Sequence, residues 1–152
     1  MVLNIADLNW SLGGGLLGLQ QQARQAMDGM VREIRQNKPS DIKITDVGGT
    51  GVNPGPVINF KIPDSTYCFR YSLSNNQIIR QVLDCAIPPA QLQLAQQVLA
   101  NDINSLNFSR SVDGKVITIQ LRAKKTVRQR DLCFPSPCNP PQSLTEEVKI
   151  RN

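Results

Sequence analysis

The most regular hydrophobic pattern of the chain lies near its beginning, in the stretch QQQARQAMDGMVREIRQNKP. Plotted at about 100° per residue, the apolar side chains fall within an arc of roughly 140°, which predicts an amphipathic helix over residues 16–36. Glycines weaken the helix before this stretch, so we expect it to begin between Leu12 and Leu19, and Pro39 ends it. The predicted core-facing residues are Leu19, Ala23, Met27, Met30 and Ile34.

After the helix, the hydrophobic period shortens to that of β-strands. The stretches DIKITDV and VINFKI alternate apolar and polar side chains. In CFRYSLSNNQIIRQVLDC, a turn at the two central asparagines would pair Leu73 with Ile78 and bring Cys68 beside Leu83. A second hairpin, SLNFSRSVDGKVITIQLRA, has an Asp-Gly pair that suits the positive φ angles of a tight turn.

Two further segments complete the predicted fold. AQLQLAQQVLA follows two prolines and is predicted to be a short helix, whereas residues 124–141 are predicted to be a loop before a last alternating strand. The whole chain, residues 1–152, is expected to form one domain, with strands and loops over residues 41–152. One long helix packed on an antiparallel sheet is an α+β fold.

The four cysteines allow three pairings, and none of them lies in a CxxC spacing. Cys68 and Cys85 bracket the predicted hairpin, and a small adjustment of register would bring them together. Cys133 and Cys138 enclose only FPSP. We therefore predict the disulfides Cys68–Cys85 and Cys133–Cys138, which would imply an oxidising compartment.

The composition argues against catalysis. Seventeen basic and twelve acidic residues give a net charge of +5, an excess that bears on partners rather than on the fold. The chain has no histidine, so the commonest metal ligand and general base is absent. We predict that the protein is not an enzyme and has no catalytic residue, no metal site and no cofactor.

The segment RAKKTVRQR concentrates positive charge in the predicted loop. Its cationic residues are Arg122, Lys124, Lys125, Arg128 and Arg130. Such a cluster is either a solvated basic loop or a contact for nucleic acid across residues 122–130. Few aromatic residues flank it to stack on bases, so DNA binding is the alternative function and not the one we favour.

Four stretches carry a resemblance to a known family: ARQAMDGMVREIRQ, FRYSLSNNQIIRQV, LANDINSLNFSRSVDGKVITIQLRA and LTEEVKIRN. In this order and spacing they resemble the soluble part of type IV minor pilins and type II secretion pseudopilins, and most closely the W-type class of pili and the J-type class of secretion systems. The resemblance runs from about Leu16 to Asn152. It implies a pilin-like fold for the predicted helix and sheet.

The resemblance also implies a function and partners. The chain would be a non-enzymatic subunit, a minor pilin or pseudopilin that acts in filament initiation or in the tip complex. Its partners would be other minor pilins or pseudopilins, the major pilin, and the inner membrane through an N-terminal hydrophobic anchor. That anchor is missing from this sequence, so we expect a chain truncated to its soluble domain. The expected location is the bacterial inner membrane and periplasm before assembly, then the pilus or pseudopilus.

The start of the predicted helix is the candidate subunit contact. Leu12, Leu16 and Leu17 would project beyond the sheet towards the helices of neighbouring subunits. The rest of the apolar stripe is explained by burial in the core. The sequence therefore places the functional interest of the helix in its first turns.

Overall fold

The computed structural model of the protein describes residues 5–46, 50–61, 64–84 and 92–150. The first element is a long helix, α1 (Ile5–Arg35), which is followed by a short 3-10 turn at Pro39–Asp41. The other elements in these ranges are strands: β1 (Ile42–Thr45), β2 (Val57–Lys61), β3 (Tyr67–Ser74), β4 (Gln77–Asp84), β5 (Leu92–Ala100), β6 (Ile103–Arg110), β7 (Val116–Val127), β8 (Arg130–Phe134) and β9 (Leu144–Lys149).

The strands form two antiparallel sheets. The first has the order β1-β2-β3-β4-β5, so each strand pairs with its neighbour in sequence. In the second, β7 is the central strand and β6 pairs along one of its edges. β9 and β8 lie one after the other along the opposite edge, β9 on residues 116–121 and β8 on residues 123–127. The length of β7 thus allows it to pair with three strands.

The predicted fold class is wrong. In the described residues the protein is β-rich, with one helix and nine strands in two sheets, rather than a pilin-like α+β fold of one helix packed on one sheet. Part of the reason is that AQLQLAQQVLA contributes β5 and not a helix. Its apolar residues fit the period of a helix as well as that of a strand, and pairing with β4 makes the segment a strand. The basic segment is also strand, because β7 continues to Val127 and β8 begins at Arg130.

The helix is longer than predicted. It begins at Ile5 rather than between Leu12 and Leu19, and its 31 residues correspond to about 46 Å. The glycines before Leu19 lie within it and do not end it. A helix propensity cost of about 1 kcal/mol per glycine is a weak term that packing can outweigh. Gly15 is a glycine at which the helix packs closely. A Cβ built there would lie 3.1 Å from Leu132 Cδ1, so the missing side chain makes room for β8.

The first predicted hairpin is confirmed in register. Leu73 pairs with Ile78 and Cys68 pairs with Leu83. Asn75 and Asn76 form the turn with φ angles of 51° and 61°, which asparagine tolerates better than most residues.

The second predicted turn is only partly as expected. Gly114 has a φ of 76°, whereas Asp113 is not among the described residues with positive φ. The Asp113 carboxylate instead accepts hydrogen bonds from Ser111 Oγ at 2.5 Å and from the Lys115 amide at 3.0 Å. These two bonds, in that order, lower the pKa of Asp113 below its ordinary value. The carboxylate therefore stabilises the turn through hydrogen bonds rather than through its own backbone conformation.

A single cluster of buried side chains joins the helix and both sheets. Its largest members are Leu19, Met27, Met30 and Ile34 from α1, Ile42, Ile58, Phe60, Tyr71 and Ile78 from the first sheet, and Ile103, Phe108 and Ile117 from the second. Phe60 contacts the rings of both Phe69 and Tyr71, with centroids 5.4 and 5.5 Å apart. The apolar face of the helix is thus covered by residues of both sheets.

The segment between β1 and β2 connects the two sheets at Gly55. The amide and carbonyl of Gly55 exchange hydrogen bonds of 2.8 Å with those of Phe108 in β6. A Cβ at Gly55 would lie 2.7 Å from the carbonyl oxygen of Thr45, so only glycine fits this approach.

The same segment covers the edge of β1 that faces away from β2. Thr45 pairs with Val57 on one side and bridges Gly51 on the other. The Val52 amide donates to the Ile44 carbonyl at 3.1 Å. The Arg110 guanidinium from β6 donates to the carbonyl of Ile42. One outer edge of the first sheet is therefore occupied by a loop and an arginine.

Candidate functional site

The predicted core face of α1 is buried. Ala23, Met30 and Ile34 have no exposed surface, and Leu19 and Met27 are 1% exposed. On the opposite side, Gln21, Arg24, Gln25, Asp28, Arg32 and Arg35 are exposed. The helix therefore has one side packed in the core and one polar side available to another molecule.

The candidate subunit contacts at the start of the helix differ in exposure. Leu17 is 55% exposed, whereas Leu16 is half-buried. The side chain of Leu12 lies outside the described residues. Leu17 precedes Leu19 by only two positions, so the exposed leucine lies on the turn at which the buried face begins. It adds an apolar contact surface to the polar side of the helix.

A polar cluster connects the helix to the first sheet. Tyr71 and Arg80 are cross-strand neighbours on β3 and β4, and both bind Glu33 of α1. Arg80 donates from Nε and Nη2 to the two carboxylate oxygens at 2.8 Å each, and the Tyr71 hydroxyl donates to Oε1. The Arg80 guanidinium also lies 4.0 Å from the centroid of the Phe69 ring. These contacts fix the position of the last helical turns on the sheet.

The disulfide Cys133–Cys138 is confirmed. It links the end of β8 to the proline-rich loop that follows, so it closes a small local loop as predicted. Cys68 is also disulfide-bonded. Its predicted partner, Cys85, lies outside the described residues, and the pairing Cys68–Cys85 stays a prediction.

The basic segment forms a β-hairpin instead of the predicted loop. Arg128 and Gln129 make the turn, with φ angles of 51° and 65°. Because side chains alternate across a strand, the cations of residues 122–130 divide between two faces. Arg122 and Lys124 lie on one face, whereas Lys125 lies on the face of Val127 and Leu132, which approach Gly15 of the helix. Arg130 pairs with Val127 and shares that second face.

Two further contacts reduce the affinity that this hairpin can offer to nucleic acid. Lys124 Nζ lies 3.7 Å from the carboxylate of Asp131, an ion pair that offsets part of the charge on its face. The Arg24 guanidinium lies 5.2 Å from the centroid of the Phe134 ring and covers one face of it. The sequence placed all five cations in one cluster, but the strand geometry leaves no single face with all of them.

We expect weak DNA binding at this hairpin. If Arg122, Lys124 and Arg128 contacted phosphates together, log affinity would fall against log salt with a slope of about −2.7. At about 150 mM salt we therefore expect no dissociation constant below roughly 1 µM. The measurement is a titration of labelled duplex DNA with the wild type and with a variant in which Lys124, Lys125, Arg128 and Arg130 are replaced by alanine.

The matched control replaces four exposed lysines on other surfaces, Lys38, Lys43, Lys61 and Lys149, with alanine. It removes the same charge from the protein. Submicromolar binding that only the hairpin variant loses would contradict the expectation and favour DNA capture as the function.

A groove that the sequence did not predict lies beside β1. Its lining includes Ile42, Lys43, Ile44, Val52, Asn53 and Arg110. Burial lowers the pKa of the Arg110 guanidinium from its ordinary value. Asn53 holds the end of β6 here, since its side chain both donates to the Arg110 carbonyl and accepts from the Arg110 amide. The groove therefore lies where β1 of the first sheet meets the end of β6 of the second sheet.

Metal-ligand clusters, helix hydropathy and known proteins place few further constraints on the function of the chain. Within the described ranges, no three of the metal-binding residue types come together. In the same ranges, no helix combines the length and hydropathy needed to cross a membrane. No protein-family model matches the sequence, and no curated protein sequence matches it either.

Proposed function

We propose that this chain is a non-enzymatic subunit of a type IV pilus or a type II secretion pseudopilus, acting as a minor subunit in filament initiation or in the tip complex. The observation that supports the proposal is the surface of α1. One side of the helix is held in the core, and Leu17 is exposed beside a polar side. A helix fixed in this way presents a rigid surface to the helices of other subunits.

The Glu33 cluster adds to this argument. Arg80 and Tyr71 hold the C-terminal part of the helix on the first sheet, while residues near Gly15 approach Val127 and Leu132 of the second. The helix is therefore attached to both sheets at well-separated positions. A rigid helix loses little conformational freedom on association, which favours binding.

The proposal predicts that Leu17→Asp weakens assembly without unfolding the protein. Mixed with the soluble domains of minor pilins or pseudopilins from the same organism, the wild type should form a complex that survives moderate salt. Leu17→Asp should lower the affinity at least about tenfold, since it places a charge in an apolar contact. Its unfolding free energy should change by less than about 0.5 kcal/mol because Leu17 is already exposed. Calorimetric titration and denaturant unfolding measure the two quantities.

Leu94→Asp is the matched control, because Leu94 is also an exposed leucine but lies on β5. It should leave the affinity for the minor subunits unchanged. The proposal fails if the wild type forms no complex with any of these subunits, or if Leu17→Asp binds them as well as the wild type does.

A further inference from the structure

The groove beside β1 has a volume of about 660 Å³. Its lining combines two cationic side chains, those of Lys43 and Arg110, with the apolar side chains of Ile44 and Val52. Small-molecule sites in proteins are concave and mostly apolar, contain a few polar groups that orient the ligand, and span about 300–1,000 Å³. The groove therefore has the size and the mixed lining of a site for a small molecule.

The guanidinium of Arg110 has more hydrogen-bond donors than partners. Its two bonds to described residues both come from Nη2, one to the Pro39 carbonyl at 3.1 Å and one to the Ile42 carbonyl. Nε is buried and has no partner. Nη1 also has no partner among the described residues, but it is not buried. Since an arginine carries five N–H donors, Nη1 is left to donate to a ligand.

Neither cation of the groove has a counter-ion. In the ranges that the structure describes, no carboxylate forms an ion pair with Arg110 or with Lys43. Asp41 and Asp46, the acidic residues nearest to Lys43 in sequence, do not line the groove, and the Asp46 carboxylate accepts a hydrogen bond from the Thr50 amide at 2.7 Å. Burial of the guanidinium lowers the pKa of Arg110. A bound anion would offset this unfavourable burial of charge.

An apolar surface lies in the same groove as the two cations. The side chains of Ile44 and Val52 both approach Gly55, where an added Cβ would lie 3.0 Å from the Ile44 Cγ2 methyl and 2.6 Å from the Val52 Cγ2 methyl. Val52 is 36% exposed, so its side chain offers apolar surface to a ligand. The Asn53 side chain is already hydrogen-bonded to the backbone of Arg110. The main polar contacts that remain for a ligand are therefore the two cations.

We propose that this groove binds a small organic acid, whose carboxylate accepts hydrogen bonds from Arg110 Nη1 and Lys43 Nζ and whose apolar part packs against Val52. Charge-assisted hydrogen bonds from a guanidinium and an ammonium favour a carboxylate over a neutral polar group. The net charge of +5 also attracts anions to the protein. The lining includes neither Leu17 nor any other residue of α1, so the proposal stands apart from the proposed function.

The probe is N-acetyl-L-leucine, because it joins a carboxylate to an apolar side chain. Proton–nitrogen correlation NMR of the isotope-labelled protein follows the titration. The Arg110 Nε–Hε signal and the Lys43 and Val52 amide signals should shift along one saturable curve, with a dissociation constant of about 1 mM. N-acetyl-L-leucinamide lacks the charge and N-acetylglycine lacks the apolar side chain, so each should bind at least about fivefold more weakly.

Lys43→Glu reverses one of the two charges on an exposed side chain and should raise the dissociation constant at least about tenfold. Lys125→Glu is the matched control. Lys125 is also exposed, but it lies eight positions along β7 from Ile117, the residue that pairs with Arg110. This variant should bind the probe like the wild type.

Three results would each overturn the proposal. The first is that N-acetyl-L-leucine leaves the Arg110 Nε–Hε signal unchanged up to about 20 mM. The second is that the leucinamide or N-acetylglycine binds as tightly as N-acetyl-L-leucine does. The third is that Lys43→Glu binds like the wild type or that Lys125→Glu loses as much affinity as Lys43→Glu.

Discussion

Met30→Asp is expected to unfold the protein or to lower its unfolding free energy by at least about 4 kcal/mol. Met30 has no exposed surface and belongs to the cluster that joins α1 to both sheets. An aspartate at this position would bury a charge with no partner, and it would also leave part of the volume of the thioether side chain empty. Thermal unfolding followed by circular dichroism measures the effect.

The control for this prediction is Gln25→Asp. Gln25 lies on the exposed side of the same helix, so the substitution adds the same charge to the same element. We expect a change below about 0.5 kcal/mol. If the two variants lowered the melting temperature equally, the described burial of the helix would be wrong.

Removing the carboxylate of Glu33 should have the next largest effect. Glu33→Ala is expected to lower the unfolding free energy by about 2 kcal/mol. Arg80 and Tyr71 would both lose their acceptor at an interface where the Arg80 and Glu33 side chains are only 22% and 25% exposed. The remaining exposure lets water reach the arginine in part, which keeps the cost below that of a fully buried pair.

A double-mutant cycle separates the pair from its surroundings. Arg80→Met keeps most of the length of the side chain but removes its charge, and it should couple to Glu33→Ala by at least about 1 kcal/mol in denaturant unfolding. Asp28→Ala, an exposed carboxylate on the same helix, should change stability by less than about 0.5 kcal/mol. Additive effects of Glu33→Ala and Arg80→Met would show that the contact contributes nothing to stability.

The helix and the first hairpin were the parts most accessible from the sequence. The helical stripe repeats over several turns, and its predicted core residues are buried in the structure: Leu19, Ala23, Met27, Met30 and Ile34. The hairpin register followed from two asparagines that accept positive φ angles, so the turn alone fixed which residues pair. In both cases the deciding residues lie close together in the sequence, so the element can be predicted from the sequence alone.

The division into two sheets was not accessible in this way. β5 has apolar residues that fit a helix and a strand equally well, and its conformation is decided by pairing with β4. Likewise, residues 124–141 were predicted to be a loop, whereas β7 and β8 pair as a hairpin in which Val127 and Leu132 approach the helix. For β5 the deciding contacts are made with residues more distant in sequence, whereas the β7–β8 hairpin closes through Arg128 and Gln129, residue types that do not indicate a tight turn.

The contacts of the polar cluster could not be predicted from the sequence either. Glu33 is 38 residues from Tyr71 and 47 from Arg80, and no spacing in the sequence relates them. The basic segment shows the reverse case, since residues adjacent in sequence are separated onto two faces of a strand. Proximity along the chain was therefore a poor guide to which charges act together.

Arg110 and Val52 have a consequence for aggregation. They occupy backbone groups of β1 on the side that faces away from β2, so a strand of another molecule cannot add to the sheet there. A sheet that is open at both edges can add molecules at each end and grow into a fibril. Closing the β1 edge removes one of the two ends at which such growth could continue.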